Sequence, residues 1–575
     1  MCCCVPTIKK KFVLQTGRRV FSLLRQILNS TSLMDETMLY PLIEPSNFDL
    51  IVVDTSLPES IIAAAASAAG KTVLHLDPNP FYGTHSASLP LDDFISFLRS
   101  QSQSPSQPPL QTSDDDASVP LGTRRLYSDL EIKSLSSEPL DNSRKFSVDL
   151  VAPRAFLCAD SMIELILKTG INQYMEFKSV DTSFVSSGEG KLESVPDSRS
   201  AIFKSRSLLG PEKYQLMNFF KHVQGIFANG SEEDLEIPFV VFLTKRGLSQ
   251  KLKSIILYTI AWADHDQENL ELCKDVISTK SGINRLALYH SSIGRFPNAN
   301  GAIIYPIYGQ GELSQAFCRC AAVKGCIYVL RMPVIALLMD KDGRTYQGVR
   351  LASGQELTSP QLILAPSFAI PTTSPRVVEV KISNDKSPSD AEGKVARGIC
   401  IAKKSIKPEA ANCLVFFPPR SLYPEQITSV RVLQLSSNSI FHVLLCLNSR
   451  FVTYLSAVCD DAVEGKKLLN AAINALFSMA VSSSPENNDR DNLCEHTEEK
   501  PCLLWSALYI QDLTKFHGVY DSIRFTPMPD EHLHYDDILD ATEKLFKELF
   551  PNEDFFAVTS ESEEHPDDGN TELDP

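Results

Sequence analysis

The stretch at residues 48–83, FDLIVVDTSLPESIIAAAASAAGKTVLHLDPNPFYG, restricts what this chain can fold into more than any other. It reads as an apolar strand over 48–53, a tight connection, an Ala-rich helix over 58–69 and a second strand over 72–76 that ends on Asp77. This is the order of a βαβ dinucleotide-binding unit, in which an acid about 20 residues past the first turn meets a ribose hydroxyl. Such a unit also needs glycines in its first turn, so that backbone N–H groups can approach the pyrophosphate. Here the turn is Asp54, Thr55 and Ser56, and Asp54 places a negative charge where two phosphates would sit. The scaffold of a cofactor domain is present with a degenerate fingerprint, and the expectation is a protein without a cofactor.

With 575 residues and 43% apolar content, the chain can bury more than one core. No run of about 18 apolar residues marks a transmembrane helix. The 71 acids outnumber the 55 bases, for a net charge of −16, which argues against nucleic acid as the main partner. Fourteen cysteines are scattered through apolar contexts without a Cys-x-x-Cys pair, as for reduced thiols in a cytosolic protein. Neither a disulfide framework nor a zinc site is expected. Residues 1–33 stand apart, with six bases and no acid. That segment reads as a transit peptide, as an N-terminus lipidated at Cys2, Cys3 or Cys4, or as a disordered or mis-assigned extension upstream of Met34.

Composition and periodicity divide the rest. Residues 1–46 are expected to be a disordered extension, and 47–154 the first part of a sheet-bearing domain with a Ser-, Pro- and Asp-rich disordered insert at 100–140. Residues 155–290 are expected to form a helical domain, on the patterns PEKYQLMNFFKHVQGIF, LSQKLKSIILYTIAWA and QENLELCK. Within it, Met162, Leu165 and Ile166 recur at helical spacing and Gly170 suits a C-terminal cap. Residues 291–556 return to strands: AIIYPIY, CIYVLRMPVIALLMD, TYQGVRLAS and PQLILAP would complete the first sheet, and GICIA, CLVFF, HVLLCLN and the LYIQD region follow as further strands. Asp342-Gly343 signals a hairpin, 482–500 a polar loop, 536–549 a final helix, and 557–575 an acidic disordered tail.

A second glycine motif, Tyr308-Gly309-Gln310-Gly311-Glu312-Leu313-Ser314, follows a strand pattern and opens a helix over 313–323. It is a near miss to the dinucleotide fingerprint. Ser314 replaces the third glycine, no acid follows at the ribose distance, and Glu312 would face the phosphates, so these glycines read as structural. On the helix, Glu312, Gln315 and Arg319 share one face, while Leu313, Phe317 and Cys320 share the other. A face bearing both charge signs suits protein contact, or simply solvent. His75, His85, His222, His290, His442, His517, His532 and His534 form no paired arrangement on a helix, and neither a G-x-S-x-G elbow nor a Walker sequence occurs. No catalytic residue and no metal site is expected.

The segments DTSLPESIIAAAASAAGKTVLHLDPNPFYG and IIYPIYGQGELSQAFCRCAAVKGCIYVLR together resemble the Rab GDP-dissociation inhibitor and Rab escort protein superfamily. RKFSVDLV, YMEFKSV, ESVPDSRSAIFKS and PNEDFF are similar to its escort branch, particularly to plant-type members. The resemblance covers most of residues 47–556. It implies an α/β, FAD/NAD(P)-binding-like fold of several sheets with a smaller all-helical domain, one that has lost its flavin and become a Rab-binding scaffold.

An escort protein of this kind binds newly made, GDP-bound Rab GTPases and presents them to the Rab geranylgeranyltransferase α/β heterodimer. It then shields the geranylgeranyl lipid and delivers the prenylated Rab to membranes. It would be cytosolic, only transiently at membranes, and a non-catalytic accessory subunit. The resemblance carries the Rab-binding role onto Tyr82, Glu312 and Arg319. It carries docking of the transferase α subunit onto Phe203 and, eleven residues later, onto Tyr214, where the family has arginine. The alternatives are a GDP-dissociation inhibitor that recycles prenylated Rabs and, in another class, an FAD-dependent oxidoreductase.

Overall fold

The computed structural model describes residues 40–102, 118–135, 147–188, 190–229, 235–299, 301–340, 345–370, 393–436, 450–479, 500–513 and 522–557. The βαβ unit is present as β1 (Leu50–Val53), α1 (Leu57–Ala68) and β2 (Val73–Asp77). Three later segments join it: β3 (Ile327–Leu330), β4 (Gln361–Leu364) and β5 (Ile523–Phe525). The result is a five-stranded parallel sheet in the order β3-β2-β1-β4-β5. The chain does return to this sheet through Ile327–Leu330 and Gln361–Leu364, but Ile303–Pro306 joins a separate three-stranded sheet, and Val334–Met339 and Tyr346–Leu351 join a four-stranded one.

Two-residue periodicity assigns the faces of that sheet. Leu50 and Val52 of β1 enter a core with Ile61 and Ala64 of α1, Phe317 of α2 (Gly311–Val323) and Phe546 of α3 (Asp536–Leu549). Ile51 and Val53 enter the opposite core, with Val334, Val349 and Leu357 of a four-stranded antiparallel sheet. Ala63, Ala64, Ala65 and Ala66 have no exposed surface. Their lack of bulk lets α2 and α3 lie close against α1, which is why an Ala-rich helix serves here.

A nine-stranded mixed sheet forms a second body, built around Lys394–Ala402 between Phe451–Cys459 and Cys502–Asp512. Helix Ala462–Leu476 covers one face of it. The helical elements are Arg199–Lys204, Gly210–Asn229, Phe239–Lys245, Gln250–Ser254 running into a π-helical turn at Ile255–Ile260, and Thr279–Ser292. Phe219, Phe239, Phe242, Leu252 and Ile256 fill their shared core. Gly170 adopts φ 71 and follows helix Ser161–Lys168, as a C-terminal glycine should.

Several expectations differ from what is observed. Residues 40–46 of the expected N-terminal extension are ordered, with Ile43 buried and its backbone N–H and carbonyl bonded to the Gln355 side chain. The insert at 100–140 contains strands, and Tyr127–Ser134 pairs antiparallel with Cys502–Asp512. Residues 155–198 are not helical throughout, since Phe156–Leu157, Phe177–Ser179, Thr182–Ser186 and Leu192–Ser194 are sheet strands. The QENLELCK pattern forms turns rather than a helix. The Gln267 side chain there takes the Ile277 N–H at 3.0 Å and donates to the Asp275 carbonyl at 2.8 Å, a loop closure that outcompetes helical bonds. Val430–Ser436 and Phe451–Cys459 are strands where no strand is expected. The expected HVLLCLN strand, the Asp342-Gly343 turn, the polar loop and the acidic tail fall wholly or mostly outside the described residues.

Candidate partner-binding site

The degenerate turn keeps the backbone of a phosphate loop but fills its space. Asp54 adopts φ 96, a conformation that glycine takes without cost. Its own carboxylate holds it there, accepting from Ser56 N at 2.8 Å and from Ser56 Oγ at 2.7 Å. Asp77, the would-be ribose ligand, has Oδ2 taken by the Thr55 and Thr84 hydroxyls and Oδ1 by Asn79 N at 2.7 Å. Glu59 is buried behind them and bonded by the Thr526 hydroxyl. Burial raises the pKa of all three acids. A pyrophosphate does not fit a site where three buried carboxyl groups stand, with Asp54 and Asp77 bonded to their own loop.

Tyr82 closes this network instead of leaving it. His75 Nε2 lies 2.6 Å from the Asp54 carbonyl, and a carbonyl only accepts, so the proton is on Nε2. His75 Nδ1 is then the acceptor for the Tyr82 hydroxyl at 3.2 Å. Burial pushes the His75 pKa down to about 4, so the ring is neutral. The same hydroxyl meets Ser60 Oγ at 3.1 Å and sits against the Cys318 thiol of α2. Tyr82 therefore offers the surface only a half-buried ring, packed edge-on against the exposed Tyr328.

The helix face read from spacing is realised on α2. Leu313, Phe317 and Cys320 are buried, Gln315 and Arg319 are exposed, and Glu312 is half-buried. Glu312, Gln315 and Arg319 line one cleft of about 330 Å³ together with Ser88, Ser147, Tyr174, Tyr308 and Ala316. The Arg319 guanidinium lies 5.7 Å from the centre of the Tyr174 ring. Glu312 Oε2 accepts from Tyr308 N at 3.4 Å. Burial pushes the Glu312 carboxyl up to about 7; Glu176 adds to the shift, and Arg319 opposes it. Tyr82 is not among the lining residues, although it touches the same helix. Tyr308 belongs to the glycine motif itself, whereas Tyr174 carries no signal in the sequence, because only the fold brings the 171–174 turn beside α2.

Phe203 and Tyr214 sit elsewhere, on the helical elements. Phe203 is 66% exposed, Leu209 69% and Tyr214 70%, a concentration of bare apolar surface. Lys213 Nζ donates to the Phe203 carbonyl at 2.8 Å and clamps Arg199–Lys204 against Gly210–Asn229.

A third cluster joins the helical elements to the sheets. Asp264 pairs with Arg431 at 2.5 Å and with His532 Nδ1 at 3.4 Å, while His532 Nε2 lies 3.2 Å from Asp537. His532, His534 and Asp537 have the spacing of a metal trio. The Arg285 guanidinium can only donate, however, and it lies 2.8 Å from His534 Nε2. That contact places the remaining ring proton on Nδ1 and leaves His534 no lone pair for a metal, so the cluster reads as an ion-pair clasp.

Comparison with known proteins places the chain among relatives. The GDP dissociation inhibitor family profile matches residues 44–113 and 111–480. The chain is 50% identical to "Rab escort protein 1" of Arabidopsis thaliana, over 93% of this chain and 99% of that protein. It is 25% identical to "Rab proteins geranylgeranyltransferase component A 2" of Mus musculus, over 89% of this chain and 97% of the relative. Among solved structures, a Rab GDI from Plasmodium falciparum superposes with a TM-score of 0.59 at 19% identity, covering 88% of this chain and 99% of the other, which bears on the fold alone.

Proposed function

The chain belongs to the GDP dissociation inhibitor family, and from that premise we propose that it escorts Rab GTPases through prenylation. It binds newly synthesised GDP-bound Rab, presents it to the geranylgeranyltransferase, and carries the prenylated product to membranes. The observation that carries this reading is the α2 face, where Glu312 and Arg319 stand over a cleft walled by Tyr174 and Tyr308. A half-desolvated acid and an exposed guanidinium two turns apart suit a protein partner that brings both charge signs. The identity to an escort protein over nearly its whole length supports this branch over the recycling inhibitors.

The role is accessory rather than catalytic: the chain supplies binding surfaces, and the transferase supplies the chemistry. Phe203, Leu209 and Tyr214 form the surface for the transferase α subunit. Tyr214 stands where the family has arginine, so this contact relies on apolar burial in place of a charge-assisted bond. The helical elements shelter the lipid, each buried CH₂ contributing roughly 0.8 kcal/mol. Their interior is closed by Phe219, Phe239 and Phe242, so an isoprenoid enters by parting these helices. Among the described residues no helix is long and apolar enough to cross a membrane, and we place the protein in the cytosol with transient membrane visits.

In-vitro prenylation tests the proposal. Rab, transferase heterodimer and geranylgeranyl pyrophosphate are combined with and without this protein, and transfer is expected only in its presence. Transfer that is indifferent to its addition refutes the escort role and favours a recycling inhibitor. The double variant Glu312→Ala, Arg319→Ala is expected to weaken Rab·GDP binding; unchanged affinity removes the α2 face from the site.

A further inference from the structure

The first four N–H groups of a helix have no partner within it. In α2 these begin at Gln310, which has helical backbone angles and makes no side-chain cap of its own. Glu312 N and Leu313 N turn back onto the Gly309 and Gln310 carbonyls at 3.2 and 3.1 Å. The other two groups are satisfied from outside the helix. Gln310 N donates to Asp149 Oδ1 at 3.0 Å across 161 residues of sequence, and Gly311 N donates to Ser88 Oγ at 2.8 Å. Ser88 in turn donates to the same Asp149 oxygen, while the Tyr305 hydroxyl donates to Asp149 Oδ2.

The approach is close enough to require both glycines. Gly309 has φ 96, and a Cβ on it would lie 2.4 Å from Ser88 Oγ and 2.5 Å from Asp149 Oδ1. A Cβ on Gly311 would lie 2.6 Å from Ser88 N. Asp149 itself is 2% exposed.

We propose that Asp149, relayed in part through Ser88, is the positioning residue of the partner-binding face, capping α2 from a remote segment and fixing where Glu312 stands. A carboxylate at a helix N-terminus accepts strong charge-assisted bonds and complements the helix dipole. Glu312 lies within the capped first turn. Arg319 lies two turns on, flanked by Phe317 and Cys320 in the core, whereas the first turn has Leu313 and the cap to hold it. Loss of the cap therefore frays the turn that carries Glu312 and spares Arg319. The proposal rests on the α2 face being the Rab site, but its first readout does not.

That readout is amide hydrogen exchange of the free, full-length protein. Asp149→Ala is expected to speed exchange at residues 310–313 at least tenfold, with Asp149→Asn intermediate because it keeps an acceptor oxygen. The second readout is Rab·GDP affinity in a double-mutant cycle. Asp149→Ala is expected to weaken binding about tenfold in the wild-type background, much less on Glu312→Ala, and fully on Arg319→Ala. Unchanged exchange at 310–313, or equal losses in the Glu312→Ala and wild-type backgrounds, overturns the proposal, because a general packing defect would add equally in both. Should Asp149→Ala fail to fold, Ser88→Ala removes one acceptor and keeps the charge. Faster exchange at Gly311 then supports the proposal, and protected exchange refutes it. If Glu312→Ala and Arg319→Ala leave affinity unchanged while exchange responds to Asp149→Ala, the Rab assignment fails and the cap stands.

Discussion

Glu312 makes the α2 face a titratable one. Burial pushes its carboxyl up to about 7, within the range where buffers are normally chosen. For the free protein the sign is that of a raised acid: its contribution to stability is fully present below the ordinary glutamate range and is lost as pH rises through about 7. Binding runs the other way. A cation brought by Rab pairs only with the ionised carboxylate, so affinity rises with pH over the same window. With a midpoint of about 7, the ionised fraction climbs from about 9% at pH 6 to about 91% at pH 8, which bounds the affinity gain at about tenfold. Glu312 is half-exposed, and solvent screening reduces that bound, so a gain of about three- to tenfold is expected.

The assay is Rab·GDP titration at pH 6, 7 and 8 at fixed ionic strength, with wild type and Glu312→Gln side by side. Rab has titrating groups of its own, and the glutamine variant subtracts them, because it preserves shape and hydrogen bonding while removing the ionisation. The variant should bind more weakly at pH 8 and approach wild type at pH 6. If the two proteins share one pH slope, ionisation of Glu312 does not enter binding, and the carboxylate contact is refuted.

Two further outcomes follow from the same geometry. Phe203→Ala should weaken binding of the transferase α subunit without altering Rab·GDP affinity, and Tyr214→Arg should tighten the former by restoring a charge-assisted bond; titration of the heterodimer against each variant checks both. Gly309→Ala should destabilise the fold by about 2–5 kcal/mol, combining left-handed strain of about 1–2 kcal/mol with overpacking against Ser88 and Asp149 of about 1–3 kcal/mol. Gly354→Ala, with φ 83 and open space around it, should lose only the strain, and denaturant melts of the two variants isolate the clash.

What could be read from the sequence was local. The Ala-rich α1 between two apolar strands, the polar face of α2 and the bounds of α3 all follow from periodicity within a dozen or so residues. What escaped depends on partners far along the chain. Tyr127–Ser134 lies in a stretch too polar to order itself, and becomes a strand because Cys502–Asp512 offers an edge more than 350 residues later. QENLELCK has helical periodicity, and loses to a single glutamine side chain that closes the loop. Tyr174 and Asp149 gave no local signal. The trace available in sequence was the pair Gly309 and Gly311: glycines that bind no phosphate must be making room for something, and that something is Ser88 and Asp149.

The opening turn obeys the same logic. A phosphate loop that lost its ligand would leave a hole and a set of unpaired N–H groups, both costly. Here Asp54 retains the positive φ of the glycine it stands in for, and its own side chain compensates for the strain by binding Ser56. Asp77 exchanges a ribose for Thr55 and Thr84, and Tyr82 locks His75 onto the same turn. The acids that bar a dinucleotide are thus the groups that keep β1, α1 and β2 in register. A rigid βαβ unit holds α1 in place, α1 packs against α2, and α2 presents Glu312 and Arg319. The crowding of the dinucleotide position and the placement of α2 are two consequences of one set of side chains.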